Sequence, residues 1–466
     1  MSKLEPLGTR MFIRYIQTKW RVFSILAVVV LACASHSSAS ATLLLEEPYG
    51  TMGFFTATGH AAVYLSGVCA ETPILLRRCA AGETGVVLSR YDGVAGYDWV
   101  AIPLIPYLYA VERREDIPLF ADAKMVAFLR DHYRRTHLED LVPDANAGEV
   151  PGGNWYELVG SSYDRTIYGF EIETTAAQDD ALIRKLNSSP NVSQFHIVSN
   201  NCADFAKYLL NSYFPKSLHR SIVADVGMTT PKQLAKMLAR FSDRHPELES
   251  SRLVISQVPG GMPRSAPVHG VVESFLKSKK YIVPSAVVSP IFAGCVAAVY
   301  VGTGAGRFEP ARNAMVFVVG SGPERPLGRE DRRAYQEQLK HYLAEAYPET
   351  SGKRVDRTWE KLQSKARAEV DEQGRPVLQM QVDGSPVLVG ATAENISANG
   401  APPRLVRQLL EARLQSELRR GSQHGITVSE IARDWKLLEQ TMPESDEPLT
   451  AQSGQRAENN IRGNRR

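Results

Sequence analysis

Residues 281–306 carry no charged side chain for 26 positions, although Pro284 and Pro290 interrupt them. So long an uncharged run has to be covered by protein or by lipid. At about 1.5 Å per residue, a helix of this length would reach across a hydrocarbon core of about 30 Å. The run therefore divides the 466 residues into two halves. A transmembrane helix over 281–306 is the leading expectation, and a buried helical hairpin docked on the preceding half is the alternative.

The amino terminus sets the compartment. Lys3, Arg10, Arg14, Lys19 and Arg21 precede an uncharged, mainly apolar run over 22–34, and Ala39-Ser40-Ala41 follows before Thr42. A basic start, an apolar middle and an A-x-A exit form a signal-peptide layout. The apolar run is shorter than the roughly 18 residues that a spanning helix needs, which points to cleavage after Ala41. Val30-Leu31-Ala32-Cys33 also resembles a lipobox, with Leu31 where a small residue is usual. The chain is therefore expected to be exported, to a bacterial periplasm or cell envelope. In an exported chain, Lys277, Lys279 and Lys280 count against a crossing over 281–306, because basic residues normally stay on the cytoplasmic side.

Composition narrows the class further. Hydrophobic residues make up 44% and charged residues 23%, which excludes a wholly disordered or fibrous chain. The net charge of +3 gives no basic field that would argue for nucleic acid. Five cysteines without paired C-x-x-C spacing exclude a dense disulfide framework and a structural zinc site. Cys69 and Cys79 lie ten apart between two strand-like runs, so both a disulfide across that loop and two unpaired thiols stay open.

Residues 42–241 alternate strand-like and helical patterns, as an α+β domain does. Strands are expected at 60–65, 85–89, 166–173 and 194–199, and helices at 121–136, 175–187, 202–213 and 230–241. Pro231 lies near the first turn of the last of these. Residues 242–280 are polar and Pro/Gly-punctuated, the best linker in the chain. Residues 307–442 are expected to be α-rich, with amphipathic patterns at 331–346 and 403–420 and a hairpin around Asp383-Gly384. Residues 443–466 are polar enough to be a disordered tail.

Two segments could carry chemistry: Thr58-Gly59-His60-Ala61-Ala62-Val63-Tyr64-Leu65, and Ser199-Asn200-Asn201-Cys202-Ala203-Asp204-Phe205. Asn200 or Asn201 can cap a helix that starts near Cys202, while Phe205 and Leu209 turn that helix into a core. A thiol at a helix amino end meets unpaired N–H groups and the positive end of the helix dipole, which favour a thiolate and can receive an oxyanion. His60 opens a strand behind Gly59 and next to small neighbours, where an imidazole could activate the thiol. Either segment alone has an ordinary reading, as a surface histidine or a capped helix with a buried thiol. Their conjunction in one exported domain suggests a catalytic pair.

The order of histidine strand and then capped cysteine helix resembles the circularly permuted papain-like cysteine hydrolases, related to NlpC-type cell-wall peptidases and to lecithin:retinol acyltransferase. The resemblance covers about residues 50–240 and rests on Gly59-His60 with Val63-Tyr64-Leu65, and on Asn201-Cys202 with Phe205. It implies a permuted papain-like domain with a small antiparallel sheet and a nucleophile helix, followed by the apolar segment and the α-rich region. It also implies Cys202 as nucleophile and His60 as general base and later acid. A third polar residue is expected on the strand after the histidine strand, where residues 85–89 offer only Ser89, a weaker partner for imidazolium than a carboxylate. Glu83 competes if the register shifts; His196 and Asp98 are further candidates, and Gln194 is a candidate oxyanion donor.

No cofactor and no metal is called for. His132 and His137 are five apart on a charged helix and do not share a face, and Gly302-x-Gly304-x-Gly306 lacks the spacing of a nucleotide loop. The aromatic and apolar stretch over 99–109 reads as core, with a wall for an acyl or peptide substrate as the alternative. The leading function is an exported thiol hydrolase that cleaves an amide, with cell-wall peptide as first substrate. An acyltransferase or lipid esterase would use the same acyl-enzyme. A non-catalytic envelope binding or scaffolding protein with a degenerate site is the third reading. The partners implied are a peptide or acyl substrate of the envelope and, through 281–306, a membrane.

Overall fold

The computed structural model describes residues 39–50, 58–146, 148–223, 225–346, 364–382, 384–397, 400–419 and 425–441. Strand β1 (Ala39–Glu46) is buried along its whole length, and β2 (His60–Leu65) pairs with it antiparallel, Glu46 opposite His60 and Ala41 opposite Leu65. A short hairpin of β3 (Val68–Thr72) and β4 (Leu75–Arg78) follows, and a Cys69–Cys79 disulfide closes it. Strands β5 (Val86–Ser89) and β6 (Val100–Pro103) continue the sheet and lead into helix α1 (Leu104–Tyr109), so the stretch over 99–109 is core. Helix α2 (Ala123–His137) starts at Asp122, whose carboxylate accepts from the Met125 N–H.

The middle of the chain supplies β7 (Ile167–Thr174), α3 (Ala176–Asn187), α4 (Cys202–Tyr213), α5 (Pro231–Arg244) and β8 (Ser250–Ile255). Three helices follow closely, α6 (Val271–Lys277), α7 (Lys279–Val288) and α8 (Pro290–Thr303), and then β9 (Met315–Val318) and β10 (Gly322–Glu324). Helix α9 (Arg329–Ala346), a meander of β11 (Arg367–Val370), β12 (Pro376–Val382) and β13 (Ser385–Gly390), and helices α10 (Pro403–Arg419) and α11 (Val428–Gln440) follow. The fold is α+β.

One eight-stranded sheet, in the order β10-β9-β8-β7-β1-β2-β5-β6, organises the molecule. It is larger than the small sheet expected. Pairs β1–β2, β2–β5, β5–β6, β7–β8 and β9–β10 are antiparallel, and β8–β9 is parallel. Because side chains alternate along a strand, the sheet divides the interior in two. Leu43, Leu45, Ala61, Val63 and Leu88 face α3, α4 and α5, where Phe205, Leu209 and Leu234 fill the space. Leu44, Ala62, Val87 and Ile102 face α1 and α2, and this core continues without a break into Leu339, Leu378 and Leu409 of the carboxy-terminal elements.

That shared core changes the expected division of the chain. Residues 242–280, read as a linker, contain β8 in the middle of the sheet, and residues 307–442 add β9 and β10 to the same sheet besides a three-stranded sheet of their own. From Ser40 onward the described residues form one compact unit. The strand expected at 194–199 is a turn, bridged from His196 to Asn200, because no neighbouring strand takes up its exposed Ile197 and Val198. The signal-peptide start, Cys33 and the tail lie outside the described residues. Ala39–Ala41 belong to β1, and a chain starting at Thr42 would keep five of the six β1–β2 pairs.

Residues 281–306 do not form one helix. Pro290 lacks the N–H that would continue α7, so the chain turns at Ser289, whose hydroxyl caps α8 by accepting from the Phe292 N–H. Among the described residues no helix is long and apolar enough to cross a membrane. The alternative of a buried hairpin is not met either, since α7 and α8 have no buried residue.

Candidate functional site

Helix α4 begins as its sequence dictates. The Asn201 side chain accepts from the Asp204 N–H at 3.0 Å and the Asp204 carboxylate accepts from the Asn201 N–H at 3.4 Å, a reciprocal cap that makes Cys202 the first helical residue. Phe205 and Leu209 anchor the helix on the sheet. Asp204 also takes hydrogen bonds from Lys207, Thr229 and Arg220, so that, against its burial, its carboxyl stays below the usual range. These contacts tie the helix start to the loops on either side of it.

The Cys202 sulfur lies against the start of β2. The β2–β5 register begins at Val63 opposite Leu88, so Ala61 has no partner on β5, and its N–H is directed at the sulfur instead. The Ala203 N–H converges on the same atom. A sulfur surrounded by backbone donors at a helix amino end is the arrangement that an oxyanion needs.

His60 begins β2 because Gly59 permits the turn before it: Gly59 has φ +71°, and a Cβ there would sit 2.1 Å from the Glu46 carbonyl oxygen. The strand alternation then decides where the imidazole goes. Ala61 faces α4, so His60 faces the other core, where its ring stacks on Tyr91 at 4.4 Å. His60 and Cys202 thus meet at one end of β2 but on opposite faces of it. Nε2 of His60 is buried with no hydrogen-bond partner, and no hydrogen bond joins the ring to the sulfur.

Both groups rest neutral. Burial pushes the Cys202 thiol up to about 11, against the Ala61 and Ala203 N–H groups, and the Glu46 and Asp204 carboxylates add to the rise. The residue as a whole is half-buried, but its sulfur is turned inward, and the sulfur's surroundings set this value. Burial, helped by the Arg165 cation, holds the imidazole well below its usual range. The resting pair is thiol and imidazole, not thiolate and imidazolium.

The other residues singled out in the sequence fall in different places. Ser89 lies at the end of β5, its hydroxyl buried without a hydrogen-bond partner, and it does not orient His60. Glu83 is on the surface, paired with Arg77 at 2.7 Å and held down to about 2 by it. His196 bonds Ser199 in the exposed turn, and Gln194 contributes its backbone to the same turn. Asp98 pairs with Arg90 at 2.5 Å.

Two features escaped sequence reasoning. Arg90 lies over the Phe205 ring at 4.7 Å and donates to Asn200 at 2.6 Å, which fixes the loop that leads into Cys202. On the His60 face, Glu46 is fully buried between Tyr107, Ser161 and Arg165, with Arg165 3.1 Å away and also bound to Glu157 at 2.6 Å. Burial raises the Glu46 carboxyl despite Arg165. The signal available was an acid directly after an apolar run, Leu43-Leu44-Leu45-Glu46.

Among the described residues the only cluster with metal-ligand spacing is Cys69, Cys79 and Glu83, and its two sulfurs are joined in the disulfide. The chain matches no protein-family model, no curated protein and no solved structure.

Proposed function

We propose that the chain is an exported cysteine hydrolase that cleaves an amide, with cell-wall peptide as the first substrate class, through an acyl-enzyme on Cys202 with His60 as general base. One observation carries the reading: the Cys202 sulfur sits at a capped helix start facing the Ala61 and Ala203 N–H groups, at the strand end that begins with an imidazole whose Nε2 has no partner. The relation to permuted papain-like hydrolases belongs to the same proposal, as does export through a leader ending at Ala41.

In this reaction the neutral imidazole leaves its stack on Tyr91, swings round the start of β2 to the face that carries Cys202 and accepts the thiol proton as sulfur attacks the amide carbon. Backbone N–H groups at Ala61 and Ala203 stabilise the oxyanion. The imidazolium protonates the leaving amine, and the C–N bond breaks. Water then loses a proton to the same imidazole while it attacks the thioester, and the acid departs as that proton returns to sulfur. Transfer of the acyl group to another acceptor would use the same intermediate.

A second reading, a non-catalytic envelope binding protein with a degenerate site, is favoured by the placement of His60 and Cys202 on opposite faces of β2. Incubation of wild type, Cys202→Ala and His60→Ala with cell-wall muropeptides, followed by mass spectrometry, tests the choice. Release of a peptide fragment by wild type and by neither variant supports the hydrolase. No release from muropeptides and no acyl transfer from lipid donors leaves the binding protein.

A further inference from the structure

The hairpin of α7 and α8 is apolar; Phe275 of α6 packs on its Tyr281 and Phe292, and most of its other side chains are exposed. Its tip residues Val287, Val288 and Ile291 are 79%, 83% and 81% exposed, an arrangement that is costly in water. A nearby loop adds exposed Ile222, Val223 and Val226; it is tied to the start of α6 by Asp225, which accepts from the Val271 N–H at 3.0 Å.

The foot of the hairpin has the opposite character. Lys279 and Lys280 are the first two residues of α7, and Arg307 and Arg312 follow α8. Where α8 ends, a cleft of about 300 Å³ is lined by Lys236, Arg240, Arg252, Arg307 and Arg312 against only two carboxylates, Asp243 and Glu309. Lys236 is buried and donates to the Thr303 and Gly304 carbonyls at 2.7 and 3.2 Å, so it fixes the end of α8 by satisfying carbonyls that the helix leaves open. Among the described residues Arg240, Arg307 and Arg312 make no ion pair.

We propose that this hairpin inserts into one leaflet of an anionic lipid bilayer, with the basic cleft at its foot holding lipid phosphate. Three features fit this occupant. The eight uncharged residues of helix α7, 281–288, rise about 12 Å, less than half of a hydrocarbon core of about 30 Å. The turn leaves few backbone groups unsatisfied: Pro290 has no N–H, the Ser289 N–H bonds Ser285 and the Phe292 N–H bonds the Ser289 hydroxyl. Cations at the base and none in the insert match a surface of phosphates over acyl chains. The inference does not depend on chemistry at Cys202.

The test uses the full chain carrying Cys33→Ser and Cys202→Ser, so that the exposed Cys295 on α8 is the one free thiol to label with a polarity-sensitive nitrobenzoxadiazole dye. Vesicles of phosphatidylcholine alone are compared with a 7:3 mixture of phosphatidylcholine and phosphatidylglycerol. The dye is expected to shift to the blue and to be quenched by doxyl-labelled acyl chains on the anionic vesicles. Arg307→Glu with Arg312→Glu should weaken that signal about 30-fold or more, and Val287→Asp with Ile291→Asp should abolish it, both with unchanged circular dichroism. Three results would overturn the proposal. These are an unshifted dye on a chain that nevertheless sediments with vesicles, a shift that 10 mM inorganic phosphate mimics without lipid, and a lipid-free dimer that the Val287/Ile291 variant dissociates while neither binds vesicles.

Discussion

Alkylation of Cys202 should be slow at neutral pH and should keep accelerating where an ordinary thiol has levelled off. The perturbation is pH, and the magnitude follows from the sulfur's surroundings. Enclosure lifts the thiol to about 11, about two pH units above its usual 9.0, so at pH 7 its thiolate fraction is about 100-fold lower than that of an unstructured cysteine. A more basic thiolate is intrinsically more nucleophilic, by a factor of about 8 for that difference. The net expectation is a rate about tenfold slower than that of a cysteine peptide, and slower still for the half-buried site. The assay is iodoacetamide labelling of the full chain from pH 6 to 10.5, with peptide mass spectrometry and a short cysteine peptide in the same tube. The rate at Cys202 should still be rising at pH 10, and His60→Ala should change it less than about threefold, because no hydrogen bond links ring and sulfur. Labelling at pH 6.5 that outruns the peptide, and is lost in His60→Ala, would refute the neutral resting pair.

The same thiol makes the fold sensitive to alkali. Because the folded state keeps its proton from about 9 up to about 11 while the unfolded chain releases it near 9, stability should fall as pH rises through that window; a Cys202→Ala chain whose urea midpoint falls just as steeply would contradict this. Gly59→Ala should cost about 3 kcal/mol or more, since it combines a left-handed backbone with a Cβ 2.1 Å from the Glu46 carbonyl oxygen, and a loss below about 1 kcal/mol in urea unfolding would count against that close approach. Arg165→Met leaves Glu46 buried without its cation and should cost about 3–5 kcal/mol near pH 7. Adding Glu46→Gln should recover part of that loss, and additive losses would contradict the pairing.

Local signals survived into the structure where they were self-contained. The cap at Asn201, the helix over 202–213, the helices near 121–136 and 175–187 and the strand over 60–65 depend on residues close in sequence, and all of them form. The hairpin around Gly384 forms for the same reason, with Val382 paired to Ser385. What sequence could not supply was register between distant strands. Alternation along residues 60–65 shows that His60 and Ala61 face opposite ways, but which of them faces the cysteine helix depends on where α4 packs. For the same reason Ser89 looked like an orienting residue, and the enclosure of Glu46 by Arg165, Tyr107 and Ser161 was invisible, since those partners lie 61 to 119 positions away. The strand expected at 194–199 failed because an apolar alternation forms a strand only beside a partner edge. The polar stretch over 242–280 contributes β8 because β7 and β9 flank Ser250–Ile255.

The most direct test of Cys202 as nucleophile and His60 as its base is rapid-quench mass spectrometry of the full chain mixed with a peptidyl thioester. The account predicts one acyl group on the peptide containing Cys202, formed before steady turnover, absent in Cys202→Ala and formed about 100-fold more slowly in His60→Ala. Acylation at an undiminished rate in His60→Ala, or no acyl group on Cys202 at all, would contradict it.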